Sequence, residues 1–309
     1  MNTLSSIIPQ LEIYSIDEAF LDLSDFKYYK ILEVGCFIRK KILQDIGIPV
    51  SIGVGRTKTL SKIAGNIAKK SKINKGVFIL HDYLEDNILE GVSIEKIWGV
   101  GKNLSIFLHK YGIHTAKNLR DIELKWIQKK IGEMGLIGIN LPKSASGAGM
   151  SNIAYGLACQ ELEKGDSSIR SFVSVQSSLV MYPIYKYGTS YQKNKWLKAL
   201  SSGKIIGCFG LTESDFGSNP AGMKTNIKKK SNGYTLNGSK MWITNGTYAD
   251  IGIIWAKDET DTIVGCIIEK DMQGFLAKPI KNKLSLNASD TAELIFNDVH
   301  IPKKNILNI

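Results

Sequence analysis

The stretch Gly207-Cys208-Phe209-Gly210-Leu211-Thr212-Glu213 begins the part of the sequence in which short strands replace helices. Its apolar residues and closely spaced glycines are typical of a buried strand that runs into a turn. Asn232-Gly233 and Asn237-Gly238 are turn signals between later strands. The predicted strands cover residues 205–211, 224–228, 234–236, 240–244, 251–256, 263–268 and 293–299. The sequence therefore predicts a β domain over residues 204–309.

Upstream of this domain the hydrophobic period changes to that of helices. Helices are predicted immediately before it, over residues 151–164, 168–187 and 191–200. Nearer the N-terminus, strands are predicted at residues 11–14, 19–23, 49–54 and 77–80, with helices at 28–46 and 57–69. Residues 93–131 are predicted to form short helices joined by tight turns. The fold class is thus α+β, with two or more domains in 309 residues.

The composition is that of a soluble globular protein, with 43% apolar residues, 22% charged residues and a formal net charge of +11. No apolar run approaches the roughly 18 residues that a membrane span needs, and the N-terminus lacks the basic and apolar regions of a secretory signal. We therefore expect a cytoplasmic protein that does not bind membranes. The widely spaced cysteines are expected to be reduced and mostly buried; they are Cys36, Cys159, Cys208 and Cys266.

Two adjacent carboxylates, Asp17 and Glu18, stand at the predicted turn between the first two strands. Like charges at this distance repel each other unless a cation neutralises them. Mg²⁺ prefers such oxygen ligands together with phosphate oxygens, and two ions can hold the attacking and leaving oxygens of a phosphoryl transfer. Asp17 and Glu18 are therefore candidate catalytic metal ligands, with a solvated turn as the alternative.

Residues 51–80 carry basic side chains and no acidic ones. Such a patch can neutralise phosphates, with a solvated helix face as the alternative. Farther along, Gly99 and Gly101 precede a predicted helix, where exposed backbone N–H groups can bind a phosphate unless the turn only connects two helices. The basic residues are Arg56, Lys58, Lys62, Lys69, Lys70, Lys72 and Lys75.

Together these motifs resemble the Y-family translesion DNA polymerases, in particular the UmuC-like subgroup. The resemblance covers about residues 5–132 and implies a partial palm over residues 1–92 and a helix-hairpin-helix, thumb-like region over residues 93–133. The segments that carry it are residues 14–23 (YSIDEAFLDL), 48–54 (IPVSIGV), 57–64 (TKTLSKIA) and 97–102 (IWGVGK).

The polymerase resemblance also implies residue roles. Asp17 and Glu18 would hold catalytic Mg²⁺, and Lys69 would face the triphosphate of an incoming nucleotide. Contacts to the DNA backbone would come from Lys58, Lys62, Gly99, Gly101 and Lys102. The family's third metal carboxylate, its fingers and its little finger have no counterpart in the sequence, so we expect DNA affinity without polymerase activity.

A different chemistry is indicated in the β domain. An isoalloxazine ring needs hydrogen-bond partners along its polar edge and an apolar or aromatic surface against its face. Residues 209–212 offer a strand edge with a hydroxyl, and residues 242–244 offer an indole and a second hydroxyl. Strand packing is the alternative for each segment alone, but the two together favour a flavin site.

The second half of the chain resembles the acyl-CoA dehydrogenases, most closely the glutaryl-CoA dehydrogenases. The resemblance covers about residues 134–309 and implies a partial N-terminal helical domain over residues 134–203 and a middle β-barrel domain over residues 204–309. The segments that carry it are residues 153–157 (IAYGL), 160–163 (QELE), 174–181 (SVQSSLVM), 207–213 (GCFGLTE), 234–238 (YTLNG), 242–245 (WITN) and 298–302 (DVHIP).

This resemblance implies an FAD site and an acyl-CoA substrate. Arg170 and Ser171 would bind the distal carboxylate of a glutaryl-CoA-like substrate, with a solvated surface arginine as the alternative, and Ser218 would line the acyl-CoA channel. A homotetramer is also implied. The FAD contacts would be Phe209, Gly210, Leu211, Thr212, Trp242, Ile243 and Thr244.

In the acyl-CoA dehydrogenases a C-terminal helical domain supplies the catalytic glutamate base, and this domain has no counterpart in the sequence. We therefore expect weak FAD binding and no turnover. The prediction is a composite chain, in which an FAD-dependent acyl-CoA dehydrogenase fragment is fused near residue 133 to a translesion polymerase fragment, inactive as it stands. The alternative is a DNA-binding, DNA-repair module that uses the basic helix and the helix-hairpin-helix.

Overall fold

A computed structural model of the chain describes residues 2–8, 10–27, 30–70 and 76–308. The chain forms two compact units, Met1–Ile122 and Glu123–Ile309. Within the described residues no helix combines the length and the apolar character that crossing a membrane requires.

The N-terminal unit contains two small sheets and six α-helices within its described residues. In one sheet β1 pairs antiparallel with β2, and in the other β3 pairs parallel with β4. The elements are α1 (Asn2–Ile7), β1 (Leu11–Ile13), β2 (Ala19–Leu21), α2 (Ile31–Ile46), β3 (Ile52–Val54), α3 (Lys58–Lys70), β4 (Val77–Ile79), α4 (Asp82–Glu90), α5 (Lys102–His109) and α6 (Ala116–Arg120).

The predicted strand–helix alternation of this unit is confirmed, and a close approach fixes where strand and helix meet. A Cβ atom on Gly53 of β3 would lie only 1.9 Å from the backbone nitrogen of Gly65 in α3. Only glycine allows this contact. The basic helix α3 is therefore held directly against β3.

The helices of the C-terminal unit are α7 (Leu124–Glu133), α8 (Asn152–Gly165), α9 (Ser167–Ser174), α10 (Tyr182–Tyr187) and α11 (Ser190–Ser201). A π-helical segment, Val175–Met181, joins α9 to α10. Ser174 and Tyr182 at its two ends both keep right-handed helical dihedrals. The helix predicted over residues 168–187 is thus one continuous helix with a widened, π-helical turn in its middle.

The strands of this unit form a seven-stranded sheet in the order β10-β11-β7-β6-β8-β5, with β9 also paired to β8. Strand β5 pairs parallel with β8, while β7, β9, β10 and β11 pair antiparallel with their neighbours. The strands are β5 (Gly207–Gly210), β6 (Asn226–Lys230), β7 (Gly233–Thr244), β8 (Ile251–Lys257), β9 (Ile263–Glu269), β10 (Phe275–Pro279) and β11 (Thr291–Ile301).

Strand β7 corrects one prediction, because the sequence signals indicated two strands separated by a turn at Asn237-Gly238. The chain instead continues through this point, where Gly238 has φ +135° and a Cβ would lie 2.6 Å from Oγ1 of Thr225. Asn237 forms two hydrogen bonds with Asp298 across an irregularity in the pairing with β11. The Asn-Gly pair therefore marks a close approach within a strand.

The core of the C-terminal unit has two parts, and β5 lies between them. Cys208 packs with the apolar side chains of the sheet, whereas Phe209 packs with the helices and with Trp255. All four cysteines are free thiols, but only Cys208 and Cys266 are buried. The expectation of mostly buried cysteines is wrong for Cys36, which lies on the exposed surface of α2.

Candidate functional site

The beginning of β5 is anchored by side chains from two other elements. The amide nitrogen of Gly207 donates to Oε1 of Gln176 (2.9 Å), and Nδ2 of Asn245 donates to the Gly207 carbonyl (3.2 Å). Nε2 of the fully buried Gln176 also donates to the carbonyls of Leu200 (3.1 Å) and Ile205 (2.7 Å). The π-helical segment therefore fixes the position of Gly207, the first residue of β5.

Glycines let β5 lie close to its neighbours. A Cβ on Gly207 would be 2.4 Å from a methyl of Val180, and a Cβ on Gly210 would be 2.6 Å from Cδ1 of Ile254. Contacts that short are not possible for a larger residue without movement of the neighbour. The predicted flavin residue Gly210 is thus required by packing as well.

The chain that follows β5 is bound to β7. The amide nitrogen of Met241 donates to the carbonyl of Thr212 (2.8 Å), and Nζ of Lys240 donates to the carbonyl of Leu211 (3.0 Å). The structure thereby brings together the two segments predicted to contact flavin, residues 209–212 and residues 242–244.

Trp242 has an unusual backbone conformation next to this junction. Met241 and Trp242 form a bulge in the pairing of β7 with β11, and Trp242 has φ +64°, a left-handed value that is rare for a bulky residue. Its side chain is 61% exposed, while Ile243 is buried in the sheet core and Thr244 is half-buried. Strained residues of this kind cluster at ligand sites. The exposed indole of Trp242 and the hydroxyl of Thr244 could contact a flavin ring, and the buried Ile243 could contribute only main-chain atoms.

A buried ion pair lies under the junction. Nζ of Lys240 is 2.8 Å from Oε1 of Glu213, and the two side chains are 0% and 8% exposed. The carboxylate of Glu213 also accepts hydrogen bonds from the amide nitrogens of Lys224 (2.7 Å) and Thr225 (3.0 Å). Burial alone would raise the pKa of Glu213, but these donors outweigh burial and hold its pKa at about 2. Burial lowers the pKa of Lys240, and Glu213 opposes that effect.

This ion pair predicts a specific loss of stability in acid. Because the folded pKa of Glu213 lies below its ordinary value of 4.5, its contribution is present above about pH 4.5 and is lost as the pH falls through about 2. The shift corresponds to about 3 kcal/mol of unfolding free energy. The lowered pKa of Lys240 acts against folding equally across this range, so it does not change the slope.

We therefore expect the wild-type chain to lose about 3 kcal/mol more than Glu213→Gln between pH 5 and pH 2. Urea unfolding at each pH measures this, and the exposed Glu259→Gln variant, which should follow the wild type, is the control. Parallel pH profiles for the wild type and Glu213→Gln would contradict the expectation.

The predicted substrate residues lie elsewhere in the same unit. Arg170 in α9 forms an ion pair with Glu163 of α8, and Ser171 beside it is half-buried. Arg170 lies about 9 Å before Gln176 along the helix axis. It therefore belongs to the same continuous helix whose Gln176 side chain holds the start of β5. Ser218 is exposed in the loop between β5 and β6.

In the N-terminal unit the predicted metal carboxylates lie in the β1–β2 turn. Oγ of Ser15 donates to Asp17 (2.6 Å), and Nζ of Lys62 is 3.0 Å from Oε2 of Glu18. The hydrogen bond from Ser15 is the main cause of a lowered pKa for Asp17, to which the positive charges of Lys69 and Lys62 add. Within the described ranges no three metal-ligating side chains come together, and the Mg²⁺ assignment stays a prediction.

Aromatic residues that the motif reasoning missed hold Lys62 in place. Its Nζ is 4.1 Å from the ring centre of Tyr14 and 5.0 Å from that of Trp98, whose indole N–H donates to the Tyr14 hydroxyl (2.9 Å). Lys58 forms an ion pair with Glu12. Two of the three lysines predicted to contact the DNA backbone, Lys58 and Lys62, therefore already have acidic partners within the unit.

Two other lysines of the basic patch lie at the end of α3. Lys69 and Lys70 are exposed at the end of α3, and in the part of the chain that the structure describes neither forms an ion pair. Gly99 has φ +90° and Gly101 caps α5, whose first residue, Lys102, is exposed. Lys72 and Lys75 lie outside the described residues.

Different parts of the chain match different protein families. Residues 111–204 match the N-terminal domain of acyl-CoA dehydrogenases, and residues 208–299 match their middle domain. Residues 1–66 match the impB/mucB/samB family. The chain joins segments that match two different families. The match to the N-terminal dehydrogenase domain begins inside residues 93–133. The palm assignment of residues 1–92 and the thumb-like assignment of residues 93–133 stay predictions.

Known relatives agree for the dehydrogenase part. The chain is 36% identical over 183 residues to the short-chain specific acyl-CoA dehydrogenase of Rattus norvegicus mitochondria, covering 58% of this chain and 44% of the relative. It is also 36% identical over 193 residues to the mitochondrial isovaleryl-CoA dehydrogenase of Arabidopsis thaliana, covering 61% and 46%. The chain thus spans less than half the length of these relatives.

Solved structures give the same result. A glutaryl-CoA dehydrogenase from Mycobacterium smegmatis in complex with FADH2 superposes with a TM-score of 0.58 at 49% identity, covering 60% of this chain and 47% of that chain. Butyryl-CoA dehydrogenase from Megasphaera elsdenii superposes with a TM-score of 0.57 at 36% identity, covering 62% and 52%. Residues from both the helices and the sheet of the C-terminal unit are therefore acyl-CoA dehydrogenase-like.

Sequence reasoning missed Lys240 and Gln176, which join the elements of the dehydrogenase-like site. The available signal was a lone lysine at a core-facing position of a strand, between Leu236 and Ile243, both of which are buried. Such a lysine needs a buried acidic partner.

Two surface cavities of about 340 and 430 Å³ in the C-terminal unit are lined by residues other than the predicted flavin contacts.

Proposed function

We propose that the C-terminal unit binds FAD, with the flavin against Trp242 and along the strand edge of residues 209–212. The observation that carries this proposal is the junction between β5 and β7, where Met241 and Lys240 bond the carbonyls of Thr212 and Leu211. The exposed, left-handed Trp242 lies next to these bonds. The match to the dehydrogenase middle domain and a relative solved with FADH2 support the same cofactor.

The substrate that we propose is an acyl-CoA thioester with a distal carboxylate, as in glutaryl-CoA. The chemistry that FAD would supply when bound is that of a hydride acceptor for the acyl chain. The guanidinium of Arg170 suits a carboxylate because it can donate two parallel hydrogen bonds. Glu163 now orients that group, so a substrate carboxylate would compete with Glu163. Ser218 would border the thioester, and the unit would assemble as a homotetramer.

Titration of FAD with the purified chain, followed by quenching of flavin fluorescence, tests the cofactor. We expect Trp242→Ala to raise the Kd about tenfold, because the variant loses the stacking of the indole on the flavin. That loss corresponds to about 1.4 kcal/mol of binding free energy. Leu276→Ala, which removes another exposed apolar side chain of the sheet, should leave the Kd unchanged. A wild-type chain that quenches no flavin fluorescence would rule out the proposed cofactor. The same sample, given glutaryl-CoA and an electron acceptor, tests the expectation of no turnover.

A second proposed function, DNA-backbone binding by the N-terminal unit, is favoured by the exposed end of α3. Lys69 and Lys70 are open to solvent there, whereas Lys58 and Lys62 face Glu12 and Glu18. A cation already paired within the protein releases fewer counterions when it meets a phosphate.

We therefore expect Lys69→Ala/Lys70→Ala to reduce the slope of log affinity against log salt by about 2. The matched double variant Lys58→Ala/Lys62→Ala should reduce it less. Fluorescence anisotropy with a labelled duplex at a series of salt concentrations measures both slopes. Equal reductions of the slope by the two double variants would show that the ion pairs of Lys58 and Lys62 do not weaken their contacts with DNA.

A further inference from the structure

Lys240 connects three parts of the chain at one buried point. Its Nζ lies 3.0 Å from the carbonyl of Leu211, after β5, and 2.8 Å from Glu213. Glu213 in turn accepts the amide nitrogens of Lys224 and Thr225, just before β6. The lysine itself belongs to β7. The ion pair therefore closes the loop of residues 211–225 at both ends and attaches it to β7.

Packing alone does not explain a lysine at this position. The other core-facing residues of β7 nearby, Leu236 and Ile243, are apolar and equally buried. An ammonium group in such surroundings is costly unless it is paired and hydrogen-bonded. Its ammonium reaches the Leu211 carbonyl and the Glu213 carboxylate, which both lie in or beside the proposed flavin segment, and the sulfur of Met223 at 3.8 Å. The position of its contacts indicates a role in the geometry of that segment.

We propose that Lys240, acting through Glu213 and the Leu211 carbonyl, is a positioning residue for flavin binding that fixes residues 211–213 against Trp242 before the cofactor arrives. This inference rests on the proposed FAD site. Without Lys240, the described hydrogen bonds that still join the two stretches are those from Met241 to the Thr212 carbonyl and from Asn245 to the Gly207 carbonyl. Leu211 and Glu213 would then lose their bonds to β7, and flavin binding would require ordering residues 211–213.

The test uses the full chain with Lys240→Met, with Lys240→Met/Glu213→Gln, and with Lys228→Met on the exposed face of β6 as control. The double variant leaves no lone buried charge, so it avoids the loss of stability expected for the single variant. We expect the FAD Kd of the double variant to rise about tenfold or more. In the absence of FAD, amide hydrogen exchange should increase in residues 211–216 and 241–245 but not in residues 251–257.

The possible results separate this inference from the proposed function. A double variant with the wild-type FAD Kd, or with exchange raised equally over all three segments, overturns the positioning role. If the wild-type chain binds no FAD, the proposed cofactor fails, and the exchange measurement decides alone whether Lys240 fixes residues 211–216. Unchanged exchange in those residues would then overturn the inference.

Discussion

Lys240→Met is expected to lower the free energy of unfolding of the C-terminal unit by about 3–5 kcal/mol. Methionine fills a similar volume, but it leaves the 8%-exposed carboxylate of Glu213 without its ammonium partner. The remaining hydrogen bonds from Lys224 and Thr225 do not compensate a buried charge. Guanidinium unfolding followed by tryptophan fluorescence measures this unit, since it holds four of the tryptophans: Trp126, Trp196, Trp242 and Trp255.

The control for this expectation is Lys228→Met, because Lys228 is exposed on β6. It should change the free energy of unfolding by no more than about 0.5 kcal/mol. A loss below about 1 kcal/mol for Lys240→Met would place the pair in the class of weak, solvent-screened ion pairs. The burial of both side chains would then not have its expected consequence.

Gln176→Leu should have the second largest effect, a loss of about 3 kcal/mol or more. Leucine has a similar size, yet it leaves the Gly207 amide and the Ile205 carbonyl without their side-chain partner, while the Leu200 carbonyl keeps its bond from the amide nitrogen of Gly203. Each buried group left unpaired costs about 1–3 kcal/mol.

The effect of Gln176→Leu should appear in the same denaturant titration, and Gln160→Leu on the exposed surface of α8 is the matched control. Equal stabilities for the two leucine variants would show that water replaces the lost bonds. The start of β5 would then not depend on the π-helical segment.

The periodicity of the sequence predicted most helices and strands, because amphipathic helices and buried strands are local patterns. The helix predicted over residues 28–46 is observed as Ile31–Ile46, and the strand predicted over residues 251–256 as Ile251–Lys257. The edge strand Phe275–Pro279 was missed, because it is short, partly exposed and ends in proline. The turn expected at Asn237-Gly238 was wrong for a tertiary reason, the approach of Thr225.

Site residues were predictable only where a motif carried them. Residues 209–212 and 242–244 could be proposed from their types, but nothing in their spacing shows that Lys240 joins the two segments. The partner of Lys240 is 27 residues away, and the two aromatic rings beside Lys62 belong to Tyr14 and Trp98, both outside α3. Long-range pairings of this kind arise from the fold, so single-sequence patterns do not contain them.

The widened turn at Val175–Met181 bears on how this helix tolerates a change in chain length. A π-helical turn holds about one residue more than an α-helical turn for nearly the same rotation. Loss of one residue within these seven would therefore convert the turn to an ordinary α-helical one and leave Arg170 on nearly the same face. Loss of one residue between Arg170 and Ser174, in the ordinary α-helical part, would instead rotate Arg170 by about 100° around the helix axis and away from Glu163.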